Sequence, residues 1–129
     1  MTQFTLLFAA IFGGLAVIFG AFGAHALKKI LNEDQLKSFE TGVKYQMYHS
    51  IVLLIIGFNF NLETSIEKYM VYSFIVGIIL FSFSIYGLVI SSAKNKKLTF
   101  LGPITPLGGL LLVFGWGLLC VSIINMTTT

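Results

Sequence analysis

Four long apolar stretches, separated by short polar segments, occupy most of this sequence. They cover residues 4–27, 45–62, 69–93 and 100–126, and none contains an acidic residue, a lysine or an arginine. An α-helix of about 20 apolar residues crosses the ~30 Å hydrocarbon core of a bilayer, and in lipid a helix bonds its backbone amides internally. The pattern therefore predicts an all-α membrane protein, a bundle of four transmembrane helices in a single domain.

We expect these transmembrane helices at about 4–27, 45–62, 69–93 and 105–126. The last begins later than its apolar stretch because the only two prolines, Pro103 and Pro106, lie near its start. Proline suits the first turn of a helix, where its missing N–H has no helical partner. We predict that Thr105 is the N-cap of this helix and that Pro106 is its first helical residue.

The segment between the first two stretches predicts a further helix. Asn32 and Gln35 have the spacing of a capping box, and apolar residues follow at steps of three and four. These apolar residues are Leu36, Phe39, Val43 and Met47. We predict an amphipathic interfacial helix at about 33–44 that continues into the second span, with a bend at Gly42.

Small residues recur along three of the predicted spans. Helix 1 carries Ala9, Gly13, Ala16, Gly20 and Gly23, helix 3 carries Gly77, Ser84 and Ser91, and helix 4 carries Gly108, Gly115 and Ser122. In lipid, stripes of small residues allow helix backbones to approach closely. They predict tight helix packing, either inside this chain or against a second copy or another membrane protein.

Charge supports the membrane assignment and orients it. Charged residues make up only 10% of the chain, whereas soluble domains carry about 25%. Seven of the eight lysines lie at 28–44 and 94–97, and Lys68 alone lies between the second and third spans. The positive-inside rule therefore predicts a protein of the cell (inner) membrane with both termini outside. The expected partner of the lysines is the lipid bilayer, and no nucleic acid is predicted.

The start of the chain resembles a secretory signal peptide only in part. The residues before the first apolar stretch include no lysine or arginine, whereas a signal peptide begins with positive charge. We therefore expect the first stretch to be retained as a transmembrane helix.

A group of polar residues is the candidate site. We expect His25, at the end of helix 1, to lie at the same membrane depth as His49, near the cytoplasmic surface. The candidate ligand-binding residues are His25, Thr41, Tyr45, Gln46, Tyr48, His49 and Thr105. Anchoring tyrosines and hydrogen-bonded histidines would explain the group structurally. Alternatively, it binds a metal or haem, or lines a polar pocket for a lipid headgroup, quinone or small solute.

Chemistry beyond binding is poorly supported. The two histidines have no cysteine or embedded carboxylate beside them, so they make an incomplete set of metal ligands. The sequence leaves any cofactor unknown. We see no catalytic nucleophile with a base and an acid, and we expect no enzymatic activity. All five acidic residues lie outside the spans. This distribution weighs against a proton-coupled exporter.

Three motifs carry a resemblance to a known family. They are GAFGAHAL at 20–27, TGVKYQMYH at 41–49, and GPITPLGG at 102–109 followed by Gly115-Trp116. In this order they resemble the domain-of-unknown-function 423 family of small bacterial membrane proteins, which is similar to transmembrane protein 256 of eukaryotes. The resemblance implies a multi-pass membrane protein and carries no substrate, cofactor or catalytic residue.

Three functions remain open at this stage. The first is binding of a small ligand or lipid in a polar pocket at the cytoplasmic face, where the N-terminal amides of helix 4 would face the histidines. The second is a role as an accessory or assembly subunit of a larger membrane complex. The third is a small transporter. The sequence identifies neither a ligand nor an oligomeric state.

Overall fold

The computed structural model describes residues 1–128, and every regular element within them is helical, which confirms the all-α class. The helices are α1 (Thr2–His25), α2 (Glu33–Asn59), α3 (Ser65–Ile78), a π-helical segment (Ile79–Phe83), α4 (Ser84–Ala93) and α5 (Ile104–Thr127). Short 3-10 turns lie at Leu27–Lys29 and Thr99–Leu101. Because α3, the π segment and α4 follow one another without a gap, they form one long rod.

The helices α1 and α2 pack as an antiparallel pair. A Cβ on Gly23 would lie 2.8 Å from the ring of Phe39, and one on Gly57 would lie 2.6 Å from Leu6. Both distances are too short for real Cβ atoms, so these glycines allow the two helices to approach closely. The small-residue stripe of α1 is therefore used within the chain, against α2.

The helix α5 packs antiparallel to the rod formed by α3, the π segment and α4. A Cβ on Gly108 would overlap the backbone nitrogen of Phe81, and one on Gly115 would lie 3.0 Å from the ring of Phe74. At Gly108 the two backbones themselves are in contact, so any side chain there would push the helices apart. The small-residue stripe of α5 is thus also covered within the chain.

The helix α2 links the two pairs. It runs antiparallel to the rod, and its buried residues include Phe39, Gln46 and Leu53. One apolar cluster, around Leu53 and Phe74, fills one end of the bundle, and a second cluster, around Phe39 and Tyr86, fills the other. The core therefore extends along the whole length of the molecule.

The helix α2 differs from its prediction. The predicted capping box is confirmed: Asn32 accepts from the Gln35 amide at 2.8 Å, and the Gln35 side chain accepts from the Asn32 amide at 3.0 Å. However, α2 runs from 33 to 59 without a break at Gly42. A separate interfacial helix is therefore not confirmed, because the apolar face of 33–44 packs on α1 and α4 inside the bundle.

Two helix starts also differ from their predictions. The prediction of Thr105 as N-cap is wrong, because α5 begins at Ile104 with Pro103 in the cap position. The helix α3 begins at Ser65, earlier than predicted, behind a second capping box formed by Thr64 and Glu67. The motif Thr-x-x-Glu at 64–67 is the sequence pattern of a capping box, so it could have predicted that start.

Three helical stretches among residues 1–128 are long and apolar enough to cross a membrane. They are Thr2–Lys29, Ser65–Ala93 and Thr99–Thr127. The helix α2 is not among them, and polar residues such as Gln46, His49 and Asn59 lie within its less charged second half. It nevertheless lies alongside α1, so its second half is at the level of the apolar helices.

Candidate functional site

Gln46 is fully buried on the face of α2 that faces α1 and α4. Its Nε2 donates to the backbone carbonyl of Phe12 at 2.8 Å, and its Oε1 accepts from the hydroxyl of Tyr86 at 2.7 Å. A buried polar group left without a partner costs about 1–3 kcal/mol, so these two bonds matter for stability. Gln46 therefore joins three helices and does not line an open pocket.

Ser82 makes a second buried bond between the rod and α2. Its Oγ donates to the backbone carbonyl of Gly42 at 2.7 Å. Gly42 is suited to this contact because a Cβ there would lie 2.8 Å from the ring of Tyr86. We call Gly42, Gln46, Ser82 and Tyr86 the inner polar layer. Ser82 belongs to the π segment, a kind of irregularity that is frequent at functional sites.

The inner polar layer lies deep in the bundle, which corrects the predicted position of the polar group. Gln46 meets α1 at Phe12, and Ser50 lies opposite Gly13, both near the middle of α1. His25 is at the far end of α1, about 20 Å from Phe12 at 1.5 Å per residue. The prediction that His25 and His49 share one depth is therefore wrong.

His49 connects α2 to α5. Its Nε2 accepts a hydrogen bond from the indole N–H of Trp116 at 3.2 Å, since an indole can only donate. Its Nδ1 lies 2.7 Å from the backbone carbonyl of Tyr45, which requires a proton on Nδ1. These two partners assign the neutral Nδ1–H tautomer. With both ring nitrogens engaged, His49 has no lone pair free for a metal.

Three grooves lie one after another along the side of α2 that faces the rod and α5. We call this row of grooves the α2–α5 cleft. Its deep part is a groove of about 510 Å³ whose walls include Tyr45, Tyr48 and His49 from α2 and Val113 and Trp116 from α5. This wall is mostly aromatic and aliphatic, which is the usual lining of small-molecule sites.

The cleft becomes more polar towards the lysine-rich end of the molecule. A middle groove of about 430 Å³ is lined by Thr41 and Thr105 among aliphatic residues. Beyond it, a mouth of about 350 Å³ is lined by Asp34 and Lys97, together with the side chains of Gln35, Ser38 and Ser92. The ring of Tyr45 stacks on that of Phe81 at 4.8 Å between the middle and deep parts.

Five of the seven predicted site residues line this cleft. They are Thr41, Thr105, Tyr45, Tyr48 and His49. The structure does not bring the other two to it, because Gln46 is buried on the inner side and His25 is exposed at the end of α1.

The helix predicted as helix 4 is α5 in the structure. Its N-terminus does not face the histidines, contrary to the prediction. The Thr105 hydroxyl lies 2.6 Å from that of Ser84 on α4. The level of His49 along α5 is that of Trp116, eleven residues further on.

The sequence did not predict the roles of three residues in this region. Tyr86 and Ser82 lie in an apolar stretch whose periodicity looks uniformly helical, so the π segment left no local signal. Trp116 is the partner of His49, and a single tryptophan in an apolar stretch does not indicate such a partner. The close spacing of tyrosines and histidine at 45–49 indicated a polar site, but only the tertiary structure supplies the partners.

Metal chemistry has no ready donor set here. Among residues 1–128 no group of three histidine, cysteine or carboxylate side chains is placed to hold a metal ion. Cys120, exposed on α5, lies outside the lining of the cleft. The side chains that line the cleft carry hydroxyls in the middle, aromatic rings in the deep part and charges at the mouth. Groups of these kinds can bind and orient a molecule.

Comparison with known proteins identifies the family. A family model described as a protein of unknown function (DUF423) matches residues 19–109, which is most of the chain. The chain belongs to the DUF423 family. The match confirms the resemblance drawn from the three motifs.

Membrane proteins of the UPF0382 group from several bacteria are similar to most of this chain. An inner membrane protein of Escherichia coli K12, YgdD of the UPF0382 group, is 35% identical over 126 residues, covering 97% of this chain and 92% of that protein. The UPF0382 membrane protein SAB0533 of Staphylococcus aureus is 39% identical over 108 residues, 84% of each chain. A Haemophilus influenzae relative is 36% identical over 111 residues, 86% of each. No solved structure matches.

These names agree with the helices. The relatives are named as membrane proteins and their names state no enzymatic activity. With three stretches apolar and long enough to span a bilayer, this member of the DUF423 family is a multi-pass helical membrane protein.

Proposed function

We propose that this protein is a non-enzymatic membrane protein that binds an amphiphilic, lipid-like molecule in the α2–α5 cleft. The observation that carries the proposal is the change of polarity along the cleft. Charged and amide side chains line its mouth, hydroxyls line its middle, and aromatic and aliphatic side chains line its deep part. An amphiphile has the same order of groups along its length.

The dimensions of the cleft suit an elongated ligand. Its α2 wall extends from Asp34 to Val52, which is about 27 Å at 1.5 Å per residue. The polar head would lie between Asp34 and Lys97, and the apolar part would lie against Tyr48 and Trp116. Because His49 and Trp116 are bonded to each other, neither of these two side chains needs a polar group from the ligand.

The proposal includes a membrane topology of four spans in the cytoplasmic (inner) membrane, with both termini outside. The helix α2 would be the fourth span, since it packs along α1 over most of its length. Its charged residues would lie at the cytoplasmic surface, with the mouth of the cleft. Seven lysines at this end against one at the other support the orientation. A reporter enzyme that works only outside the cytoplasm should be active when it is fused to the C-terminus. A reporter that works only inside the cytoplasm should be inactive there.

The binding proposal is tested with a matched pair of glycine substitutions on α5. Gly109 lines the deep cleft, and a Cβ there meets only the Phe81 ring at 3.7 Å, so Gly109→Phe places a ring in the cleft. Gly117 has nothing within 4 Å of a Cβ, so Gly117→Phe is the control on the same helix.

Native mass spectrometry of gently extracted protein measures the outcome. We expect the unmodified protein and Gly117→Phe to retain an amphiphile of fixed mass, and Gly109→Phe to lose it. Equal retention by both variants, or no bound molecule in the unmodified protein, would contradict the proposal. A retained second polypeptide would indicate the accessory-subunit function, and solute flux in liposomes would indicate a transporter.

A further inference from the structure

A second groove lies beside α4, outside the α2–α5 cleft, where α4 ends and the chain turns towards α5. It has a volume of about 420 Å³, and its lining includes Tyr86, Ile90 and Leu98 as apolar surface and Lys94 and Lys96 as charges. The described residues that line it include two lysines and no carboxylate. The cleft mouth differs, because Asp34 accompanies Lys97 there.

The turn that carries these lysines is held in one conformation. The amide of Lys96 donates to the carbonyl of Ser91 at 3.0 Å, and the amide of Asn95 donates to that of Ser92 at 3.1 Å. Asn95 has a φ of 58°, the left-handed conformation that asparagine tolerates at helix ends. Together these features form a Schellman motif, so the backbone that carries Lys94 and Lys96 is ordered.

A side chain adds a further constraint to the turn. The Ser91 hydroxyl donates to the carbonyl of Leu88 at 3.1 Å and accepts from the amide of Leu98 at 3.1 Å. Leu98 is thereby fixed against α4, where it forms one wall of the groove. The positively charged end and the apolar wall of the groove therefore have a defined geometry relative to each other.

The groove lies at the depth where a phospholipid changes from headgroup to acyl chain. The apolar membrane-spanning stretch ends at Ala93, and Lys94 follows directly. Tyr86 and Ile90 belong to the last turns of that stretch, so an acyl chain can lie along them. Lysines immediately beyond a span attract anionic lipid headgroups. Negative charge on the headgroup complements the two lysines without a nearby carboxylate to repel it.

We propose that this groove binds an anionic phospholipid, with the phosphate between Lys94 and Lys96 and an acyl chain along Tyr86, Ile90 and Leu98. The site is separate from the α2–α5 cleft. The turn divides its lysines between the two, because Lys94 and Lys96 line this groove and Lys97 lines the mouth of the cleft. The proposal therefore does not depend on the proposed function.

The test compares two double variants with the same loss of charge. Lys94→Gln with Lys96→Gln removes the groove lysines, whereas Lys28→Gln with Lys29→Gln removes two lysines from the other loop at the same end of the molecule. The purified full chain is titrated with phosphatidylglycerol, or with phosphatidylcholine, in neutral detergent micelles. Bound lipid is counted by native mass spectrometry.

We expect phosphatidylglycerol to bind more tightly than phosphatidylcholine. The 94/96 variant should weaken its binding about thirty-fold, because each of the two lysines contributes about fivefold near a membrane surface. The 28/29 variant should weaken it by less than threefold. Equal loss in both variants, or no preference for the anionic lipid, would overturn the site. Competition by inorganic phosphate as strong as by the whole lipid would overturn the role of the apolar wall.

The two proposals fail independently in these experiments. Gly109→Phe fills the α2–α5 cleft and leaves the groove lysines unchanged, so it should not alter phosphatidylglycerol binding. If Gly109→Phe and the 94/96 variant lose the same lipid molecule, the separate site is contradicted.

Discussion

Besides the rod, the helix α2 has two long neighbours, α1 and α5, and of these two it closes only against α1. The helix α1 places its small residues towards α2, so Gly23 accommodates Phe39 and the backbones approach. The helix α5 places Gly108 and Gly115 towards the rod instead. The face that α5 leaves for α2 includes Val113 and Trp116, and a cleft remains there.

This comparison shows that the position of small residues decides which interface closes. In lipid, apolar surface gains little by leaving one apolar environment for another, so helix contact depends on close packing. Both α1 and α5 are strongly apolar, with hydropathies of 2.3 in their most apolar windows. Hydrophobicity therefore does not distinguish the closed interface from the open one.

The largest expected effect comes from a side chain at the closest helix crossing. Gly108→Ala places a methyl group against the backbone of Phe81, which cannot move out of the way as a side chain can. We expect a loss of about 1–3 kcal/mol of stability or more, as for overpacked cores. Thermal unfolding in detergent measures the loss.

Gly117→Ala is the control for this substitution, because its Cβ meets nothing within 4 Å. Alanine favours a helix over glycine by about 1 kcal/mol, so the control should unfold at an equal or higher temperature. If the two alanine variants behave alike, the backbone contact at Gly108 does not limit the packing of α5.

A smaller effect is expected on the closed side of α2, at the bond between Gln46 and Tyr86. Tyr86→Phe and Gln46→Leu each remove that bond. In the double variant both polar groups are absent, so neither is left without its partner. Polar pairs inside membrane proteins show couplings of about 0.6 kcal/mol on average and up to about 1.7 kcal/mol. We expect a coupling in the upper part of this range because both groups are buried.

The double-mutant cycle is measured by unfolding in mixed micelles. Tyr72→Phe, on the exposed side of α3, is the matched control and should change stability by less than about 0.5 kcal/mol. Strict additivity of Tyr86→Phe and Gln46→Leu would show that the inner polar layer does not act as a connected group.

The smallest effect is expected at the hydrogen bond between α5 and α2 in the deep part of the cleft, from Trp116 to His49. His49→Leu should cost about 1 kcal/mol and shift the emission of Trp116 to shorter wavelengths, because the indole loses its polar acceptor. Trp116 is the only tryptophan, so its fluorescence reports on the cleft without background from another indole.

Tyr48→Leu is the comparison for this variant. Tyr48 lines the same wall, is about half exposed and makes no bond to Trp116. The emission spectrum of Trp116 in Tyr48→Leu should match that of the unmodified protein. An unchanged spectrum for His49→Leu would mean that the histidine is not the partner of the indole in the folded protein.

Two adjacent polar residues on α2 show what the sequence could predict about the candidate site and what it could not. Tyr45 and Gln46 both belong to the predicted site, yet Tyr45 is exposed at the cleft and Gln46 is completely buried. Helical spacing indicates that they lie on different faces, but it does not say which face has a neighbour. That depends on α1 and α4, which come from distant parts of the sequence.

The sequence by itself determined the helical class, the membrane environment and the capping box at Asn32, because these depend on local composition and on residues three or four positions apart. It also singled out five residues that line the cleft. The tertiary structure alone decided that His25 lies far from His49, that Trp116 meets His49, and that the rod contains a π segment. These features depend on how helices cross, and crossings are set by contacts between residues far apart in the chain, such as Gly108 with Phe81.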